Sequence, residues 1–128
     1  MSLVKVAKLE AVHVDERGSI FDVLNKPVSH IGMITFKEGV VRAKHYHHES
    51  TQYDYIVSGK LKLVVCLPDG SLKEEYVLES GMTTEVPPGI VHAYKALEDS
   101  VMLDITTLSR EHQGYEDDTV RVDLDLFD

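Results

Sequence analysis

Short stretches of apolar and β-branched residues alternate with turn-forming residues along the whole chain. The stretch Gln52–Ser58 carries Tyr53, Tyr55 and Val57 at one parity, and successive side chains of a β-strand point to opposite faces. Strong turn residues separate such stretches, as in Pro-Asp-Gly-Ser at residues 68–71. No segment of useful length shows the 3.6-residue period of a helix. The pattern predicts many short strands and no long helix, which is typical of a β-sandwich or barrel.

The same pattern predicts individual strands and some of their pairings. The chain is expected to begin with a hairpin, residues 4–24, that turns at Asp-Glu-Arg-Gly. Because only Gly59 separates residues 52–58 from residues 60–67, these two strands are predicted to form a second hairpin. The core barrel is predicted over residues 30–108. The predicted strands are residues 5–14, 19–24, 31–36, 40–47, 52–58, 60–67, 72–78, 81–86, 92–95 and 100–107.

The end of the chain differs in composition from the barrel. Residues 111–128 are acidic, so this tail is either a mobile arm or an added edge strand. Apolar and polar positions alternate in residues 120–127, which favours the strand. The length of 128 residues, without an internal repeat or linker, predicts one all-β domain over residues 1–128.

Composition and charge narrow the classes of function. The net charge of −9 repels phosphate backbones, so we expect no nucleic-acid partner. No apolar run approaches the ~20 residues of a membrane span, and the N-terminus lacks the apolar segment of a secretory signal. We therefore expect no membrane partner and a cytoplasmic location. Cys66 is the only cysteine, which excludes an intrachain disulfide, and its apolar neighbours predict that it is buried in the core.

Three of the seven histidines lie within four residues, at positions 45, 47 and 48. On a strand, His45 and His47 share one face, whereas His48 points the other way and is predicted to lie in solvent. Two neighbouring neutral imidazoles can bind a metal ion or transfer a proton. The spacing alone favours the alternative interpretation, surface histidines on an edge strand.

Two longer patterns include these histidines and a third. The first reads G-x5-H-x-H-x4-Q-x6-G and the second G-x5-P-x-G-x2-H, and together they span residues 39–92. They resemble the two motifs of the cupin superfamily. The resemblance implies a single-domain double-stranded β-helix, the jelly-roll barrel. Two positions depart from the family pattern, because Gln52 replaces a glutamate and Ala96 an asparagine. The matching residues are Gly39, His45, His47, Gly59, Gly81, Pro87, Gly89 and His92.

The resemblance also implies a metal site. It places His45, His47, Gln52 and His92 around one divalent cation. A glutamine can bind through its carbonyl oxygen, but it is neutral, so the site holds a hard cation less tightly than the family's glutamate would. Three imidazoles and one oxygen suit zinc, nickel, iron(II) or manganese. No organic cofactor is expected.

Further residues resemble one branch of the cupins, which acts on nucleotide-activated sugars. This branch comprises the dTDP-4-keto-6-deoxyhexose 3,5-epimerases and the 3,4-ketoisomerases. The 3,4-ketoisomerases are the more similar of the two, because they share an Arg-x-x-His-x-His sequence, the glutamine and an acidic tail with Asp-x-x-Arg. The residues that carry this resemblance are Arg42, His45, His47, Gln52, Asp118 and Arg121.

Such a reaction begins when a base removes a proton next to a carbonyl, and a histidine with a pKa near 7 suits this step. His45 is the predicted base and His47 its partner. Tyr53 is predicted to be catalytic, because a phenol can return the proton, and Tyr55 is predicted to contact the substrate. For both tyrosines the alternative interpretation is packing within the strand.

Two arginines are predicted to bind the sugar diphosphate. Arginine pairs bidentately with phosphate, which suits both Arg42 and Arg17. A solvated surface charge is the alternative for each, and Arg121 is predicted to pair with the acidic tail.

Two other classes of function stay open. One is a metal-dependent cupin enzyme, of the dioxygenase or lyase type, that acts on a small molecule. The other is a cupin that binds a small ligand without catalysis. In each case we expect a homodimer, because small barrels cover their open edge strands by pairing.

Overall fold

The computed structural model describes residues 2–127, and this part of the chain contains twelve strands and one short helix. The strands are β1 (Lys5–Lys8), β2 (His13–Asp15), β3 (Gly18–Ile20), β4 (His30–Phe36), β5 (Val41–His47), β6 (Gln52–Ser58), β7 (Lys60–Cys66), β8 (Glu74–Glu79), β9 (Met82–Val86), β10 (Val91–Ala96), β11 (Ser100–Thr106) and β12 (Thr119–Arg121), and the helix is α1 (Gly114–Asp118).

Ten of these strands form two five-stranded antiparallel sheets. The order in the first sheet is β1-β9-β6-β11-β4, and the order in the second is β12-β5-β10-β7-β8. The main core cluster lies between the sheets and includes Ile56 from the first and Leu63 from the second. The predicted all-β jelly-roll fold is thereby confirmed. No helix within residues 2–127 is long and apolar enough to cross a membrane.

The predicted second hairpin is wrong. Strands β6 and β7 follow each other in the chain, but β6 pairs with β9 and β11, whereas β7 pairs with β8 and β10. Gly59 joins them with a φ of +92°, a conformation that glycine adopts without strain. A side chain there would also meet the backbone of Asp99 and Ser100. The chain therefore crosses from one sheet to the other at this residue.

The N-terminal prediction is correct only in part. Strands β2 and β3 pair as a hairpin, and Asp15 and Gly18 are its last matched pair. The predicted strand 5–14, however, is divided in two, and its first half, β1, pairs with β9 of the first sheet. Val4 and Val6 belong to the core cluster or pack against it, so burial of these side chains fixes β1 on the barrel.

The acidic tail covers the outer face of the second sheet. Strand β12 pairs with the edge strand β5, so the tail does add an edge strand, but only three residues long. The predicted strand 120–127 is therefore wrong beyond Arg121. The rest of the tail contributes Leu126 to a second core cluster with Val64 and Cys66, and burial of Cys66 is confirmed. The second half of β7, residues 63–66, is thus buried on both faces, which explains its continuous apolar sequence.

Candidate active site

A cavity of about 290 Å³ lies inside the barrel, between the two sheets and the beginning of the tail. This volume is at the lower end of the ~300–1,000 Å³ range of small-molecule sites. Five strands of the barrel and the tail supply a mixture of aromatic, basic and carboxylate side chains. The lining residues are Ile34, Phe36, Arg42, Ala43, His45, Gln52, Tyr94, Met102, Asp104, Arg110, Tyr115 and Arg121.

Three buried imidazoles meet at one end of this cavity. The ring centroids of His45 and His47 are 4.9 Å apart, those of His45 and His92 are 4.7 Å apart, and those of His47 and His92 are 5.3 Å apart. His45 and His92 face each other directly across strands β5 and β10. One nitrogen from each ring lies within 4.8 Å of the others. His48, the residue after the end of β5, is exposed.

Hydrogen bonds orient two of the three rings. Nδ1 of His92 lies 3.0 Å from the carbonyl oxygen of Ile90, so Nδ1 carries the proton and donates it. Nε2 of His92 then has a free lone pair, and this buried atom has no hydrogen-bond partner among the described residues. Nε2 of His47 lies 3.0 Å from Oε1 of Gln52, and its Nδ1 lies 3.6 Å from a carboxylate oxygen of Asp118.

Burial keeps these histidines neutral. It lowers the pKa of His45 to about 2, with further lowering by His92 and His47, and it lowers the pKa of His92 to about 3. Burial also lowers the pKa of His47. The pKa near 7 expected for a catalytic base is therefore not found at His45 or His92. Neutral imidazoles, however, are the form that binds metal ions.

This donor set fits a divalent metal ion. The unpartnered Nε2 of His92 is buried beside the other two rings, and the oxygen of Gln52 is the fourth candidate ligand. Metal-binding histidines usually direct their second nitrogen at a backbone carbonyl or a carboxylate. His92 does so with the carbonyl of Ile90, and His47 does so with Asp118. All four donors are neutral, and three nitrogens with one oxygen suit several transition metals.

A β-bulge directs Arg42 into the cavity. In the pairing of β5 with β10, His45 lies opposite His92 and Ala43 opposite Ala93, so Lys44 is an extra residue. Ala43 and Lys44 have φ values of 74° and 65°, which are unusual for residues other than glycine. The extra residue reverses the alternation, so that Arg42 lines the cavity together with His45 although the two positions differ in parity.

The structure does not bring three of the predicted site residues into the cavity. Tyr53 lies on the outer face of the first sheet, where Nζ of Lys26 is 5.6 Å from its ring centroid. Because Gln52 points inward, its neighbour Tyr53 points outward, and Tyr55 shares the parity of Tyr53. Arg17 is exposed in the β2–β3 hairpin and bonds to Asp15 at 2.6 Å. The structure therefore does not place these three residues in the cavity of the single chain, as their predicted roles require.

Several residues that line the cavity were not predicted from the sequence. Asp104 pairs with Arg110 at 2.7 Å, and the Arg110 guanidinium carbon lies 4.6 Å from the ring centroid of Tyr115. Tyr94 reaches the cavity because it shares the parity of His92, a signal that was present in the sequence. Arg121 does pair with the tail, at 3.0 Å from Glu116, and it also lines the cavity.

Comparison with known proteins identifies the family. The cupin domain family matches residues 32–106, which is more than half of the chain. The chain belongs to the cupin family. The matched region contains every strand from β5 to β11, and hence all three cavity histidines of this cupin. No curated protein matches the sequence.

Solved structures share the fold of this cupin at low sequence identity. A dTDP-4-dehydrorhamnose 3,5-epimerase from Sulfolobus tokodaii is 20% identical with a TM-score of 0.72, over 91% of this chain and 74% of that chain. A 3,4-ketoisomerase from Helicobacter canadensis is 18% identical with a TM-score of 0.77, over 92% and 90%. A 3′-monoepimerase from Streptomyces bikiniensis in complex with dTDP-quinovose is 16% identical with a TM-score of 0.77, over 94% and 69%. At these identities the similarity establishes the fold.

Proposed function

We propose that this cupin isomerises or epimerises a nucleotide-activated 4-keto sugar by proton transfer inside the barrel. One observation carries the proposal: three of the chain's four arginines line the cavity that ends at the three histidines, although the net charge is −9. This concentration of guanidinium groups suits a diphosphate. Solved epimerases and ketoisomerases with the same fold support the substrate class.

Arg42 is the arginine that we expect to bind the diphosphate. Arg110 and Arg121 are each paired with a carboxylate, at 2.7 and 3.0 Å. Within residues 2–127, Arg42 has no such partner, and its guanidinium carbon lies 5.5 Å from the ring centroid of Phe36. Its charge is therefore available to an anion. Since the cavity is small, we expect it to hold the sugar and phosphates while the nucleoside extends outward.

His45 is the proposed base, because it is the imidazole that lines the cavity and it is neutral at pH 7. It accepts the proton from the carbon next to the ketone, and the negative charge moves to the oxygen of the enolate. An anionic substrate raises the low pKa of His45, since nearby negative charge favours the protonated ring. The proton then returns to the opposite face of the same carbon, giving the epimer. Alternatively, the proton of the hydroxyl on that carbon moves to the enolate oxygen and the abstracted proton is delivered to the former carbonyl carbon, so that the hydroxyl carbon becomes the new ketone of the ketoisomer.

Tyr94 replaces Tyr53 as the proposed acid. Tyr94 lines the cavity, and it lies on the same face of β10 as His92. A phenol can donate its proton in a dry pocket, and burial raises the pKa of Tyr94, which keeps the hydroxyl protonated until the enolate forms.

Exchange of the proton next to the ketone tests this function. We expect dTDP-4-keto-6-deoxyglucose in D₂O to gain deuterium in the presence of the protein, as followed by NMR. His45→Asn should slow the exchange by about 10²- to 10⁴-fold, the usual contribution of a positioned base. His48→Asn is the matched control and should exchange like the unmodified chain, because His48 is exposed. Equal exchange in the His45 variant would contradict the proposal.

A metal-dependent cupin enzyme is the second candidate, favoured by the buried and unpartnered Nε2 of His92. His45, His47, His92 and Gln52 would hold a divalent cation, which would supply Lewis-acid polarisation of a substrate carbonyl. We expect elemental analysis to find about one transition metal per chain after purification without added ions, and none in His92→Ala. The same metal content in both proteins would exclude this site. The expected homodimer stays a prediction in either case.

A further inference from the structure

The metal-binding end of the cavity lacks negative charge among its candidate ligands. His45, His47 and His92 are neutral, and Gln52 occupies the position where the cupin motif has a glutamate. A carboxylate nevertheless lies directly behind the glutamine. Asp54 is 1% exposed, and it lies two residues further along β6 on the same inward face.

Hydrogen bonds tie Asp54 to the amide of Gln52. Nε2 of Gln52 donates to Oδ1 of Asp54 at 2.8 Å and lies 3.3 Å from the hydroxyl of Tyr94. The hydroxyls of Thr84, at 2.8 Å, and Tyr94 both donate to Oδ2 of Asp54. The carboxylate thus accepts from three donors, which suits its full acceptor capacity.

This network leaves one orientation for the Gln52 amide. If the amide were flipped, its carbonyl oxygen would lie against Oδ1 of Asp54, and two acceptors would face each other without a proton between them. In the observed orientation Oε1 points to the imidazoles and lies 3.0 Å from Nε2 of His47. The charged acceptor also makes the bond from Nε2 stronger than a neutral one.

We propose that Asp54 is a positioning residue that holds the carbonyl oxygen of Gln52 toward the three imidazoles and so makes it a ligand for a divalent cation. The inference rests on the metal site proposed above. Asp54 places a negative charge directly behind the ligands, whereas the glutamate of the cupin motif would place that charge on a ligand itself. Outer residues of this kind change metal affinity by about 10- to 100-fold.

Titration of the full chain with Co²⁺ tests this inference, with affinity measured by calorimetry and ligand geometry by the visible absorption bands. Asp54→Asn keeps the volume but removes the charge and allows either amide orientation. We expect it to weaken Co²⁺ binding by about 10- to 100-fold and to change the absorption bands. Thr84→Val is the matched control, since it removes another donor to Asp54 without touching Gln52, and it should bind within about 3-fold of the unmodified chain.

A double variant separates positioning from a merely structural role. In Gln52→Glu/Asp54→Asn the carboxylate becomes the ligand and the asparagine amide donates to it, so Co²⁺ affinity should return to that of the unmodified chain or exceed it. If Asp54→Asn does not fold, the double variant alone decides, and weak binding by it overturns the inference. Unchanged affinity and bands in Asp54→Asn overturn it while leaving the metal site intact. Absence of Co²⁺ binding by the unmodified chain overturns both.

Discussion

Burial of three imidazoles in one cluster lowers their pKa values, and the stability of the fold therefore depends on pH. In the unfolded chain each histidine has a pKa of about 6.5, whereas in the folded chain that of His45 is about 2 and that of His92 about 3. The folded state therefore keeps these rings neutral, whereas the unfolded chain protonates them when the pH falls below about 6.5. Lowering the pH thus stabilises the unfolded chain relative to the folded one. Asp54 acts in the opposite sense, because burial raises its pKa to about 6.

The free energy of unfolding of the metal-free protein should fall as the pH drops from 6 to 4. In this range the unfolded chain binds one more proton at each of His45 and His92, and His47 acts in the same sense, while the folded chain binds one more at Asp54. The net difference of at least one proton gives a loss of about 1.4 kcal/mol per pH unit or more. Urea denaturation with a chelator present measures this slope.

His92→Asn removes one of the three histidine contributions to that slope. We expect its free energy of unfolding to fall less steeply between pH 6 and 4, by about 1.4 kcal/mol per pH unit, apart from an overall offset. His48→Asn, an exposed neighbour in sequence, should keep the original slope. The same slope in His92→Asn as in the unmodified chain would show that the ring of His92 is not held neutral by burial.

At the scale of secondary structure, the bulge in β5 is the feature that aims Arg42 at the cavity. It holds Ala43 and Lys44 at positive φ, which costs roughly 1–2 kcal/mol for a residue with a Cβ atom. Such strain persists only where the surrounding structure fixes it, and here the pairing of His45 with His92 on one side and Ala43 with Ala93 on the other does so.

Lys44→Gly should relieve part of this strain. We expect the free energy of unfolding to rise by about 0.5–1 kcal/mol, because glycine adopts a positive φ without a steric cost. Lys95→Gly in the neighbouring strand β10 is the control, and it should lose about 0.5–1 kcal/mol, since its backbone is extended. Thermal or urea denaturation compares the two. An equal loss in both variants would contradict a strained bulge at Lys44.

Strand positions could be predicted from the sequence better than strand partners. The bounds of β6 were predicted correctly, because local alternation of side chains and the glycine that follows the strand determine them. The pairing of β6 with β11 and β9 depends on burial against distant residues, so the predicted pairing with β7 failed. Similarly, alternation predicts which residues share a face only in a regular strand, and the bulge at Lys44 interrupts it.

The candidate site shows the same limit. His45, His47, Gln52 and His92 were chosen from motif spacing, and the structure brings these four together. Arg110 lies in a loop and Tyr115 in the short helix α1, and a segment with only five helical residues has no periodicity from which its contacts can be predicted. Tyr53 was placed in the site despite the opposite parity of Gln52, which strand alternation already argued against.

At the scale of the whole molecule, the charges are segregated. The chain as a whole carries −9, yet Arg42, Arg110 and Arg121 face the cavity. The acidic surface repels polyanions, while the cavity offers guanidinium groups to one small anion. We therefore expect affinity for nucleoside diphosphates to depend on the cavity arginines rather than on net charge.

Arg42→Gln should weaken the binding of dTDP by about 10- to 100-fold, the equivalent of a lost charge-assisted contact of about 1.5–3 kcal/mol. Arg17→Gln is the matched control, because it removes the same charge from the only arginine outside the cavity lining. Calorimetry at constant ionic strength compares the variants. Equal loss of affinity in both would mean that overall charge, and not the cavity, attracts the ligand.

The most direct test of the account is a crystal structure of this cupin with a dTDP-linked 4-keto sugar. We predict that the diphosphate contacts Arg42 and that the carbon next to the ketone lies within reach of His45, inside the barrel. Ligand bound instead in the outer cavity of about 220 Å³ beside Tyr53, with nothing between the sheets, would contradict it.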